Sequence, residues 1–124
     1  MIHEGLKVGV VTGHVSLKEV PKNLSVSLIM DKIERMNSSL IQDFNVVRPR
    51  IAVLGLNPHN GDHGMMGNEE IEMIEPSINK SKEKGILAFG PYAADGFFGS
   101  GNYLNFDGIL AMYHDQGLVP FKAL

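Results

Sequence analysis

The sequence predicts an α/β fold with a largely parallel sheet. Three observations carry this: short apolar, β-branched runs recur along the chain, stretches of helical periodicity lie between them, and the turns after the runs are rich in glycine. Strands joined by helices run parallel through right-handed crossovers, and such sheets bind ligands beyond the carboxyl ends of their strands. A length of 124 residues allows one core rather than two, so 1–124 is expected to be a single domain.

The first run, 7–12 (KVGVVT), reads as a buried strand that ends at Gly13 and delivers His14. Beyond Pro21, Leu24, Leu28, Ile29, Ile33, Met36, Leu40 and Ile41 recur at helical spacing, with no Gly or Pro between Lys22 and Arg48. This predicts a long amphipathic helix with Ser25 near its start, and Asp31, Lys32, Glu34 and Arg35 fall mostly off the apolar stripe. The run at 50–56 (RIAVLGL) repeats the strand pattern. It leads into the glycine-rich loop NPHNGDHGMMG, opened by the turn formers Asn57 and Pro58 and containing His59.

Asn68, Glu69 and Glu70 predict a second helix with a side-chain cap and two acids in its first turn, closed by Gly85 after lysines. Pro76 should kink or split that helix. A third short strand is expected at 86–89, and a loop rich in glycine and aromatics then runs through Asp95 and Tyr103. The run at 108–113 (GILAMY) is the fourth strand, and His114 follows it directly. No internal repeat or interior linker divides the chain.

Composition narrows the function classes. With 44% apolar and 20% charged residues and a net charge of −3, the chain has the profile of a soluble globular protein. Its densest basic cluster, Lys80, Lys82 and Lys84, is broken by Glu83 and reads as a solvated helix face, so nucleic acid is not an expected partner. Apolar stretches fall far short of the ~20 residues of a membrane span. The start MIHEGLKVG lacks a basic segment followed by an apolar run, so a cytoplasmic protein is expected. Without cysteine, disulfides and thiolate sites are excluded, and any metal falls to His, Asp or Glu.

His14, His59 and His114 each follow a strand. One histidine in such a place is more often a hydrogen-bonded loop residue; three at the ends of strands in one sheet point to a single divalent cation. Their spacings of 45 and 55 residues exclude a local motif such as HExxH, so only the sheet can bring them together. Three imidazoles leave coordination positions open for a substrate hydroxyl or carbonyl. Zinc suits this donor set best, cobalt and nickel share the preference, and magnesium is accommodated where oxygens complete the shell.

Asp115 beside His114, Asp95 in the preceding loop, and Lys122 are further site candidates. Each also has a structural reading: Asp115 caps a turn, Asp95 steadies its own loop, and Lys122 is a surface lysine. His3, near the terminus, and His63, in the glycine-rich loop, are left outside the site. From these residues alone, a metal-dependent hydrolase stands beside other metal chemistry.

The blocks TGHVSL, GLNPHNGDHGMMGNEEI, GPYAAD and AMYHDQGLVPFK resemble consecutive blocks of the 4-hydroxythreonine-4-phosphate dehydrogenase family of vitamin B6 biosynthesis, and they cover nearly the whole chain. The resemblance implies His14, His59 and His114 as metal ligands and Lys122 as a contact for the substrate phosphate, with Asp95 and Asp115 near the reacting centre. It implies a fold similar to isocitrate and isopropylmalate dehydrogenases, and homodimers whose sites take metal ligands from both subunits. The implied reaction is NAD-dependent oxidation of the C3 hydroxyl of 4-phosphooxy-L-threonine. Loss of carbon dioxide then gives 3-amino-2-oxopropyl phosphate.

Family enzymes are longer at both ends, so residues 1–124 are expected to form a partial, metal-binding and dimerising domain. No GxGxxG follows a strand, and NAD rests on the resemblance. Two readings stand beside it: a sister dehydrogenase acting on another phosphorylated four-carbon hydroxy acid, and a truncated, non-catalytic module that dimerises and binds metal.

Overall fold

A computed structural model describes residues 2–3 and 6–124, and the side chain of His3 lies outside what it describes. Among the described residues, five strands form one sheet: β1 (Ile2–His3), β2 (Leu6–Thr12), β3 (Arg50–Leu54), β4 (Leu87–Tyr92) and β5 (Gly108–Tyr113). Their order across the sheet is β1-β2-β5-β3-β4, with β2, β5, β3 and β4 parallel and β1 antiparallel on the β2 edge. The expected α/β fold with a largely parallel sheet is therefore what forms. The sequence predicts no element before residue 7, and Ile2–His3 add the β1 edge strand there.

Helix α1 (Val26–Phe44) crosses one face of the sheet. Ser25 caps it as the sequence predicts, its Oγ accepting from the Leu28 N–H at 3.0 Å, and Asn45 ends it in the left-handed region. Ile29, Ile33, Met36 and Leu40 of the stripe are buried against Ile51, Val53, Leu110 and Met112, whereas Ile41 sits at the rim and is exposed. The alternate strand residues Ala52, Leu54, Ile109 and Ala111 point to the opposite face. There they meet Phe97, Phe98, Tyr103, Phe106 and Phe121. The loop expected between the third and fourth strands thus contains a short helix, α3 (Ala94–Gly99), whose aromatics line this second core.

The second predicted helix begins differently from expectation. It opens as a π-helical turn, Glu70–Ile74, without a side-chain cap, and becomes α2 (Glu75–Glu83) where Pro76 enters. Proline lacks the N–H that would continue the ladder, so the change of pitch falls there. A further helix, α4 (His114–Ala123), starts directly at the end of β5 despite Gly117 and Pro120. Gly117 is what allows it to lie on the sheet, because a Cβ there would meet Ala111 Cβ at 3.1 Å and Val8 Cγ1 at 3.2 Å. Among the described residues, no helix is long and apolar enough to cross a membrane.

Candidate functional site

The three candidate histidines follow β2, β3 and β5, which are adjacent in the sheet. Thr12 and Tyr113 are register partners, and the buried Thr12 Oγ1 donates to the Met112 carbonyl at 2.8 Å. That bond fixes the end of β2 against the end of β5. His14, two residues past Thr12, and His114, the first residue of α4, consequently line one cleft of about 390 Å³ with Val15, Tyr113 and Asp115. His114 Nδ1 lies 2.8 Å from Asp115 Oδ1. With the proton on Nδ1, this contact orients the ring and leaves Nε2 as a lone-pair donor, the usual support of a metal-binding imidazole. Both side chains are largely exposed, so the pair matters for orientation and little for stability.

The end of β3 is held by side chains. Ladder pairing with β5 stops at Val53 and Leu110, and Gln116 of α4 takes over beyond it. Its Oε1 accepts from the Met112 N–H at 2.8 Å and its Nε2 donates to the Gly55 carbonyl at 2.7 Å. The carboxylate of Glu70, 2% exposed, then accepts from the backbone N–H groups of Leu56 and Asn57, each at 2.7 Å, and from Asn57 Nδ2 at 3.0 Å. The following residues make a left-handed turn, with φ of 52° at His59, 54° at Asn60, 48° at Asp62 and 57° at His63. Left-handed backbone costs a non-glycine residue roughly 1–2 kcal/mol, and strain of this kind concentrates at functional sites.

His59 lies on this turn and lines a second cleft of about 450 Å³ with Asn60, Asp62, His63, Glu75 and Pro91. His63, left aside from sequence, therefore shares the His59 cleft. Asp95 is exposed in the first turn of α3, its Oδ1 accepting from the Gly96 N–H at 2.8 Å, and Lys122 is exposed in the last turn of α4. Neither lines either cleft. Among the described residues of one chain, no three His, Asp or Glu side chains are grouped closely enough to hold an ion. The donor chemistry nonetheless suits a divalent cation, with exposed imidazoles at one edge of the sheet and one of them oriented by a carboxylate.

Sequence reasoning missed Glu70 and Gln116. The sequence places Glu70 as an acid in the first turn of a helix, and nothing in its local pattern marks it as buried. Gln116 carried no signal, because its role depends on two strand ends 57 residues apart in sequence, Met112 and Gly55.

A family model described as pyridoxal phosphate biosynthetic protein PdxA matches residues 1–124. The chain belongs to the PdxA family. Among PdxA relatives, the 4-hydroxythreonine-4-phosphate dehydrogenase of Bacteroides thetaiotaomicron is 53% identical over 124 residues, and that of Prosthecochloris aestuarii is 51% identical over 120. These matches cover 100% and 97% of this chain but 34% and 35% of the relatives, so the chain spans about a third of the length of the curated relatives it matches. A crystal structure of a 4-hydroxythreonine-4-phosphate dehydrogenase from Burkholderia phymatum superimposes with a TM-score of 0.91 at 37% identity, covering 99% of this chain and 37% of that one. A terephthalate 1,2-cis-dihydrodiol dehydrogenase from Burkholderia xenovorans also matches, with a TM-score of 0.84 at 29% identity, over 96% of this chain and 37% of that one. The PdxA architecture is thus shared by proteins named as dehydrogenases of different substrates.

Proposed function

We propose that the chain is the metal-binding and dimer-forming part of a cytoplasmic, NAD-dependent dehydrogenase that acts on 4-phosphooxy-L-threonine in pyridoxal phosphate biosynthesis. The observation that carries this is the pairing of His14 and His114 in one cleft, with Asp115 on Nδ1 of His114, in a chain whose relatives are named for that activity. In this reading His14, His59 and His114 hold one divalent cation, zinc by preference. Because the three imidazoles occupy two clefts of one chain, a centre that uses all of them draws on two copies.

When bound, the metal supplies a Lewis acid that polarises the substrate hydroxyl and steadies the negative charge that develops as carbon dioxide leaves. Asp115 holds His114 in the tautomer that keeps Nε2 free. The Lys122 ammonium binds the substrate phosphate, and Asp95 takes a place near the reacting centre once the assembly is complete. NAD would supply the oxidant, accepting the C3 hydrogen of the substrate as hydride while the hydroxyl proton is released. The resulting β-keto acid then loses carbon dioxide to give 3-amino-2-oxopropyl phosphate.

A second reading, a sister dehydrogenase for a different hydroxy acid, is favoured by the likeness to the dihydrodiol enzyme. The test is to exchange this chain for the matching third of the Bacteroides thetaiotaomicron relative and follow NAD reduction with 4-phosphooxy-L-threonine. Turnover that is lost in His59→Ala supports the proposal. A folded, metal-loaded chimera that ignores this substrate and oxidises another hydroxy acid selects the sister reading.

A further inference from the structure

Among the described residues, Glu70 is the buried acid, and none of their ion pairs includes it. Taking a carboxylate out of water is costly unless the site supplies donors in place of solvent. Here the donors come from one place: the Leu56 and Asn57 N–H groups and the Asn57 amide, two to three residues before His59. Two glycines close around the same carboxylate. A Cβ on Gly61 would stand 2.8 Å from Glu70 Oε1, and one on Gly55 would stand 3.1 Å from Oε2. The segment from Gly55 to Gly61, including the left-handed turn at His59, is wrapped around this one side chain.

We propose that Glu70 is the positioning residue for His59, its buried carboxylate acting as the template on which the left-handed His59 turn is built. The functional value of that role rests on the metal reading above. The structural role stands apart from it, because no ligand is needed to form the contacts.

The experiment is NMR on the metal-free chain with Glu70→Ala and Glu70→Gln, following the His59 ring resonances and the amide exchange of Leu56 and Asn57. Amides of Ile29 and Ile33 on α1 serve as the reference for global stability. Loss of the acceptor should speed exchange at Leu56 and Asn57 on the order of tenfold and move the His59 ring signals, with Ile29 and Ile33 unchanged. Glu70→Gln should fall in between, because its carbonyl keeps the backbone bonds while its NH2 group meets the Asn57 amide. Unmoved His59 signals, or protection lost evenly along the chain, would overturn the proposal. A parallel cobalt titration of wild type and His59→Ala reads the metal hypothesis separately: if wild type binds no cobalt, that hypothesis fails and the NMR result still decides the role of Glu70.

Discussion

Gln116 Nε2 donates to the Gly55 carbonyl at 2.7 Å, across 61 residues of sequence, at the level where β3 and β5 cease to pair. The same side chain receives the Met112 N–H, so one amide completes the ladder between the strands that lead to His59 and His114.

Replacing it with leucine leaves the Met112 N–H and the Gly55 carbonyl without partners. An unmade bond of this kind costs about 1–3 kcal/mol, so Gln116→Leu should lower the urea midpoint of unfolding by a matching amount. An unchanged midpoint would mean that the strand ends are held by other contacts.

Gly55 allows a second test. An added methyl group would press on Glu70 Oε2 at 3.1 Å and on the Asn60 side chain, both of which are held by hydrogen bonds. Gly55→Ala should destabilise by about 1–3 kcal/mol, read as a drop in Tm.

Ser25→Ala removes the cap of α1, and Ser25 lines neither cleft. The expected loss is about 1 kcal/mol, seen by denaturation, with no change in metal affinity. A change in affinity would show that α1 packing reaches the histidines.

Asp115→Asn tests orientation at His114. Substitution of such a partner lowers metal affinity roughly 10–100-fold, and an exposed side chain at this position should alter stability by no more than about 0.5 kcal/mol. Chelator competition measures the first and thermal unfolding the second.

A centre built from two copies has a signature in concentration. Metal at 100 times its Kd should stabilise by about 2.7 kcal/mol. If two chains supply the ligands, the gain in Tm grows with protein concentration and disappears in His59→Ala. A gain independent of concentration would point to a site formed within one chain.

The parts of the fold legible in the sequence are those governed by periodicity alone. The strand at 108–113 and the α1 stripe could be read because each element's own residues determine which side is buried. Helix α4 was hidden because Gly117 and Pro120 argue locally against a helix, and only its fit against Ala111 and Val8 explains why one forms. Helix α3 was hidden for a similar reason: it is six residues long, with glycines at 96 and 99, and its aromatics gain order only on the sheet. Of the site, the placement of His14, His59 and His114 after strands was readable. Their division between two clefts was not, since no local pattern announces the left-handed turn on which His59 lies.

The strand order has a consequence for how the protein is made. The two strands that emerge first with a histidine behind them, β2 and β3, do not touch; β5, made after both, is inserted between them. Until residue 113 has left the ribosome, β2 and β3 each present an open edge, and the His14 cleft lacks the wall that Tyr113, His114 and Asp115 supply. Closure of this sheet therefore waits for β5, and a nascent chain stalled before it would be prone to pairing with other chains.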